Sequence, residues 1–270
     1  MAYGVGLLLL LRLQQYWLHV REAEAGKEED TVHFHKVVDV HGSRVLAYTI
    51  QEGCRDKGVV YIPGYEATNT SVTIRFLSNL CSLYHLSFLR YDPTHVGYSK
   101  IIWRPRQMKN TLQIWMDDAL EMLNKTRGPQ IIIGHSLGAW IALQLALKHP
   151  DKVAGLLLLG PMYNVFEAID DLPNGTEDLE ETVQTLDGDE DTIEETWQYL
   201  IPTAPSSLKI FSKVYIIHWE SDEVPYQFSD MLLTSLASKD KHLNILTSAN
   251  HYLQDLTSLC EIGTTLLSMI

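Results

Sequence analysis

The segment GHSLG, residues 134–138, places Ser136 between two glycines and between two apolar runs. Glycines on either side let the backbone turn sharply, and G-x-S-x-G between a strand and a helix is typical of a nucleophile elbow. Residues 130–133 contain three consecutive β-branched isoleucines and predict a buried strand, whereas residues 137–148 have apolar side chains at helical spacing. The pattern predicts a nucleophilic Ser136. The alternative is a packing turn whose serine only bonds the backbone.

A serine hydroxyl becomes an effective nucleophile only when a histidine takes its proton and a carboxylate holds the imidazolium. At a nucleophile elbow the chain order is serine, acid, histidine. His251 follows the predicted strand 242–248 and precedes the last helix, so we predict His251 as the base. The other downstream histidines lie at a helix end or in strands and are expected to be structural: His149, His218 and His242. His135 shares the turn with Ser136 but points in a neighbouring direction.

The acid is expected just beyond the strand predicted for residues 213–219. Asp222 is preferred because it lies three residues past the end of that strand and shortly before a Val-Pro turn that would fix its backbone. Glu220 and Glu223 remain alternatives, because a solvated acidic cluster at the end of a strand is also common.

Cleavage of an acyl group develops negative charge on the carbonyl oxygen, which two backbone amides usually stabilise. One candidate is the amide of Leu137, directly after the proposed nucleophile. The second is the amide of Tyr65, in the loop after the strand predicted for residues 58–64, since Pro63 has no N–H to donate. A plain connecting loop is the alternative for this segment.

Apolar strands alternating with helices must position these groups. This pattern predicts an α/β fold with a mostly parallel central sheet, begun by a hairpin and covered by helices on both faces. The predicted strands are 32–38, 44–51, 58–64, 86–92, 130–133, 153–160, 213–219 and 242–248. The predicted helices are 71–83, 107–123, 137–148, about 226–238, and one from about residue 252.

The alternation breaks at residues 161–207, which we predict to form a small cap over the carboxyl ends of the strands, where ligands bind in such sheets. Residues 153–208 contain thirteen acidic side chains and no Lys or Arg. That charge would repel anionic substrates or attract a basic peptide, although a solvated helical face is the simpler interpretation.

Composition excludes several classes of function. The chain has 270 residues with an ordinary 46% hydrophobic content, which predicts one domain over residues 31–270 after a leader at 1–30. Its net charge of −13 argues against a nucleic-acid partner. The three cysteines form no C-x-x-C pair, and neither a phosphate loop nor a metal-spaced histidine cluster occurs, so we expect no cofactor and no metal.

The leader has the composition of a mitochondrial transit peptide. Residues 1–21 contain no acidic side chain and carry Arg12, His19 and Arg21. The apolar run at residues 5–13 is too short for a transmembrane segment. A cytoplasmic protein with an unstructured leader is the alternative.

Several longer segments resemble the α/β-hydrolase superfamily. They are YIPGYEATN (61–69), LRYDPTHVGYS (89–99), residues 128–160, VYIIHWESDEVP (214–225) and SANH (248–251). Within the superfamily, the Pro-Gly-Tyr, the Gly-Pro-Gln before the elbow strand and the Val-Gly-Tyr-Ser are most similar to mitochondrial palmitoyl-protein thioesterases. The resemblance covers roughly residues 58–265.

This resemblance implies removal of S-palmitoyl groups from protein cysteines, with Ser136, Asp222 and His251 as the triad and no cofactor. The chain departs from the family where Trp219 replaces a usual glycine and where one residue fewer separates Asp222 from the following Val-Pro. The alternatives are a broad carboxylesterase of small esters and a non-catalytic binding protein with a hydrolase fold.

Overall fold

A central sheet organises the computed structural model, which describes residues 31–40, 42–64, 71–103, 111–162, 204–222, 224–247 and 254–270. Within these residues nine strands form one sheet. The strands are β1 (His33–Asp39), β2 (Gly42–Gln51), β3 (Val59–Ile62), β4 (Phe88–Tyr91), β5 (Lys100–Trp103), β6 (Gln130–His135), β7 (Val153–Leu159), β8 (Lys213–Trp219) and β9 (Lys241–Leu246).

The strand order is β1-β2-β4-β3-β6-β7-β8-β9, with β5 paired to β2. Strands β3, β4, β6, β7, β8 and β9 are parallel, whereas β1, β2 and β5 pair antiparallel. The predicted hairpin and mostly parallel sheet are therefore confirmed. Because the parallel strands share one direction, the carboxyl ends of β6, β7 and β8 lie side by side along one edge.

Five helices and a short 3-10 turn are described: α1 (Val72–Leu83), α2 (Thr111–Leu123), α3 (Leu137–Lys148), Pro150–Lys152 in 3-10 geometry, α4 (Gln227–Ser235) and α5 (Leu256–Met269). Side-chain caps define two starts. Ser71 Oγ accepts from the Ile74 amide at 3.2 Å, and Asp255 Oδ1 accepts from the Ser258 amide at 2.9 Å. Among the described helices, none is long and apolar enough to span a membrane.

Apolar side chains cover both faces of the sheet. Helices α2, α3 and α4 contribute to the core on one face, and α1 and α5 to the core on the other. Strand β6 shows why its sequence is continuously apolar: Ile132 packs into the first core, while Ile131 and Ile133 pack into the second. The strand that leads to Ser136 is therefore held rigidly from both sides.

The observed elements differ from the sequence-based boundaries in a few places. Strand β5 was not expected, β9 ends at Leu246 rather than at residue 248, and α4 ends at Ser235 rather than at residue 238. Helix α5 begins at Leu256, where Asp255 caps it. The leader, residues 107–110 of the predicted second helix and nearly all of the predicted cap, residues 163–203, lie outside the described residues.

Candidate active site

Ser136 occupies a strained turn between β6 and α3. Its φ of 52° and ψ of −120° lie where residues with a side chain are rarely found, which costs about 1–3 kcal/mol and is common at functional sites. An alanine Cβ on Gly134 would lie 2.5 Å from the carbonyl oxygen of Gly138, and one on Gly138 would lie 2.3 Å from that of Ile62. Both predicted glycines are therefore required by close backbone contacts.

The backbone of Ser136 is tied into the sheet. Its N–H donates to the carbonyl of Leu159 at 2.9 Å, and its carbonyl accepts from the amide of Ala139 at 2.9 Å. Although Ser136 precedes the first residue of α3, its side chain does not cap the helix. The residue is 9% exposed at the carboxyl end of β6. This geometry presents the hydroxyl at the sheet edge without using it to close the helix terminus.

The loop after β3 begins against this serine. An alanine Cβ on Gly64 would lie 3.1 Å from Cβ of Ser136 and 3.1 Å from the carbonyl oxygen of His135. Leu137 is the first residue of α3, where backbone amides have no partner within a helix. Tyr65 directly follows Gly64 but lies outside the described residues. Of the two predicted oxyanion amides, that of Leu137 directly follows Ser136 in the chain, and both assignments stay predictions.

Asp222 lies in a tight turn beyond β8, and its side chain is fully buried although its backbone is partly exposed. Its N–H donates to the carbonyl of Trp219 at 3.2 Å, and its Oδ1 accepts from the amide of Val224 at 3.0 Å. Of the two alternative acids, Glu220 is exposed and Glu223 lies outside the described residues. Burial and hydrogen bonding distinguish Asp222 from Glu220.

Gly160 joins the serine side of the site to the acid side. It follows Leu159, whose carbonyl accepts from Ser136, and an alanine Cβ on Gly160 would lie 3.1 Å from Oδ2 of Asp222. Its φ of 48° turns the chain away at the end of β7. The sequence pattern predicts Gly160 only as the end of a strand. Its place directly after a buried strand, at the carboxyl edge of the sheet, is the sequence signal that indicates a close approach of this kind to a site residue.

The predicted base, His251, lies outside the described residues. The strand that precedes it can be placed: Leu246 ends β9 and pairs with Trp219, the residue that ends β8. The chain therefore leaves β9 at the edge of the sheet from which the turn of Asp222 also departs. His242 lies at the opposite end of β9 with its side chain 63% exposed.

His218, expected to be structural, lies directly beneath the turn of Asp222. Its side chain is fully buried in β8. Its Nε2 lies 2.8 Å from the carbonyl oxygen of Val224 and 3.5 Å from Oδ2 of Asp222, and its Nδ1 lies 2.6 Å from Oγ of Ser229 on α4. The imidazole therefore links the strand, the helix and the acid turn.

Comparison with known proteins identifies relatives that are named as mitochondrial palmitoyl-protein thioesterases. Over 113 residues the chain is 31% identical to the palmitoyl-protein thioesterase ABHD10, mitochondrial, of Mus musculus. The match covers 42% of this chain and 36% of the relative, so the chain spans about a third of the length of the curated relatives it matches. The resemblance predicted from the sequence is thus confirmed.

Solved structures share the fold over a longer stretch. The mouse alpha/beta hydrolase domain-containing protein 10 superposes with a TM-score of 0.72 at 22% identity, covering 88% of this chain and 98% of that one. A putative hydrolase from Agrobacterium vitis S4 gives 0.74 at 20% identity, covering 90% and 100%. The family model described as the alpha/beta hydrolase fold matches residues 59–196, slightly more than half of the sequence. The chain belongs to the α/β-hydrolase fold family.

Proposed function

We propose that the protein is a serine hydrolase that removes S-acyl groups from protein cysteines, as a palmitoyl-protein thioesterase. The observation that carries the proposal is the strained elbow at Ser136, linked through the Leu159–Gly160 end of β7 to the buried carboxylate of Asp222. The name of the mouse relative supports the thioesterase assignment.

The proposed reaction proceeds in two steps. Ser136 Oγ attacks the thioester carbonyl while His251 takes its proton and Asp222 stabilises the imidazolium. The amides of Leu137 and Tyr65 hold the oxyanion. The tetrahedral intermediate collapses, the carbon–sulfur bond breaks, and His251 returns the proton to the departing cysteine thiolate. A water molecule, deprotonated by His251, then attacks the acyl-enzyme carbonyl. The bond to Ser136 Oγ breaks, His251 returns the proton to that oxygen, and the fatty acid leaves. No cofactor takes part.

The negative charge of the predicted cap supports an acylated protein as the substrate rather than an acyl group bound to an anionic small molecule. Thirteen acidic residues with no Lys or Arg between residues 153 and 208 would repel acyl groups carried on phosphate-rich molecules. The same charge favours acylated cysteines flanked by Lys or Arg. We expect faster hydrolysis of a palmitoyl peptide with lysine flanks than of one with glutamate flanks, and the difference should shrink at high salt.

The proposed location is the mitochondrion. The basic, acid-free composition of residues 1–21 and the designation of the mouse relative as mitochondrial support it. Import of a fluorescent protein carrying residues 1–30 tests it, and a diffuse cytoplasmic signal would contradict it.

The function is tested by comparing purified wild type with Ser136→Ala on an S-palmitoyl peptide and on a short-chain ester. We expect kcat/KM to favour the palmitoyl substrate by at least about tenfold, because each buried methylene contributes about 0.8 kcal/mol. Ser136→Ala should lower kcat by a factor on the order of 10⁶. A preference for the short ester would indicate a carboxylesterase. Turnover retained by Ser136→Ala would exclude Ser136 as the nucleophile, and a wild type without turnover on either substrate would indicate a non-catalytic protein.

A further inference from the structure

The buried imidazole of His218 has defined partners on both ring nitrogens. A carbonyl oxygen can only accept a hydrogen bond, so the 2.8 Å contact with Val224 requires a hydrogen on Nε2. In the neutral ring Nδ1 then accepts from the Ser229 hydroxyl at 2.6 Å. Because Ser229 projects from α4, the helix and the strand together fix the orientation and the tautomer of the ring.

Val224 transmits this orientation to the acid. Its carbonyl is held by His218, while its N–H donates to Oδ1 of Asp222 at 3.0 Å. The same Nε2 lies 3.5 Å from Oδ2, the oxygen nearest to Gly160. One ring nitrogen therefore anchors the turn and adds a polarised N–H beside the carboxylate. Both effects fix the direction in which the carboxylate points.

We propose that His218 is a positioning residue that, braced by Ser229, holds the turn of Asp222 so that its carboxylate is aligned for the proposed base. The inference rests on the proposed function, since the alignment matters only if Asp222 serves catalysis. His218 touches no reacting atom in this scheme, and it acts through Val224 and Asp222.

A second histidine–aspartate pair provides a matched comparison. His242 Nε2 lies 3.4 Å from Oδ1 of Asp240, a distance close to that between His218 and Asp222. The side chains of this second pair are 63% and 44% exposed, at the amino end of β9. Because solvent screens such an exposed pair, it contributes little to the free energy of folding. Removing the His242 ring should therefore change neither turnover nor the acid turn.

The test compares His218→Leu, His218→Gln and His242→Leu by steady-state kinetics on the palmitoyl peptide, with thermal unfolding of each variant. We expect His218→Leu to lower kcat by about 10–100-fold, the usual effect of removing an outer hydrogen-bond partner of a functional group, with KM unchanged. His218→Gln should recover most of the loss, because its amide restores an N–H donor towards Val224. His242→Leu should match wild type.

Ser229→Ala is a milder probe that keeps the buried ring, in case His218→Leu does not fold. We expect about a fivefold loss of kcat from one lost hydrogen bond. Ser235→Ala on the same helix is its control, since the Ser235 hydroxyl donates to the Met231 carbonyl within α4.

The outcomes separate the two proposals. If wild type hydrolyses the peptide and both folded His218→Leu and Ser229→Ala keep its kcat, the positioning role is overturned and the proposed function stands. A loss of kcat in His218→Leu that His218→Gln does not recover also overturns the positioning role. Such a loss would come from disturbed packing around residue 218 and not from the missing N–H donor. Wild type without turnover overturns the proposed function and this inference together.

Discussion

Replacing Gly138 with alanine should destabilise the protein, because α3 begins in direct contact with the backbone at the end of β3. The new Cβ would lie 2.3 Å from the carbonyl oxygen of Ile62 and 2.5 Å from that of Pro63. Ordinary contact begins near 3.4 Å, so the helix start and the strand must separate by about 1 Å. Both obstacles are backbone atoms, which no change of rotamer can move aside.

The magnitude follows from two opposing effects. Overpacking in a well-packed core costs about 1–3 kcal/mol, and backbone obstacles place this case at the upper end of that range. The better helix propensity of alanine returns at most about 1 kcal/mol. We expect a net loss of about 2 kcal/mol in the free energy of unfolding, or a Tm lower by about 4–8 °C for a domain of this size class. Separation of the start of α3 from the end of β3 should also slow the reaction of Ser136 with a fluorophosphonate probe.

Gly155→Ala is the matched control, measured beside Gly138→Ala by differential scanning calorimetry. Its new Cβ would first meet the terminal methyl of Met269 at 2.8 Å, and that flexible side chain can move. We expect a smaller decrease in Tm for the control. If both variants unfold together, or if Gly138→Ala unfolds with wild type, the argument from the close backbone contact is wrong.

Three further predictions concern single side chains. Asp222→Asn should lower kcat by a factor of about 10⁴, as loss of the acid does in known serine triads, whereas Glu220→Gln should keep near wild-type kinetics; equal effects would refute the choice of acid. Asp118→Ala should cost about 1–3 kcal/mol in a thermal melt, because buried Arg44 loses one of its two 2.6 Å ion pairs and keeps only the one with Asp39, while the Thr94 amide loses its acceptor; an unchanged Tm would contradict this. Burial raises the pKa of the Cys81 thiol to about 12, whereas Cys54 is exposed. Iodoacetamide at pH 8 should therefore modify Cys54 first, as read by peptide mass spectrometry, and earlier modification of Cys81 would refute its burial.

Local signals explain why the elbow and the sheet could be predicted from the sequence. The G-x-S-x-G turn requires two glycines for contacts within a few residues or with the adjacent strand, and continuous apolar runs follow from burial on both faces. Strand β5 (Lys100–Trp103) gave no comparable signal. It has four residues, pairs with β2 more than fifty positions earlier, and exposes Ile102. Pairing of this kind depends on tertiary contact rather than on periodicity.

The roles of Gly160 and His218 also depend on tertiary contacts. Gly160 contacts Asp222 about sixty residues further along the chain, and only the adjacency of β7 and β8 brings them together. His218 stands in an apolar strand, where a histidine is usually a satisfied core residue. Its significance follows from Val224 and Ser229, whose positions the sequence pattern did not define. The preference for Asp222 over Glu220, in contrast, came from position alone and agrees with the burial of its side chain.

The central claim, that Ser136 is an activated nucleophile, is tested most directly by a fluorophosphonate probe followed by peptide mass spectrometry. Such a probe forms a covalent bond with a serine only when a neighbouring base activates its hydroxyl. We predict one adduct, on Ser136, that is absent from a Ser136→Ala variant with the wild-type Tm. A folded wild-type protein that carries no adduct, or carries it on another serine, would contradict the account.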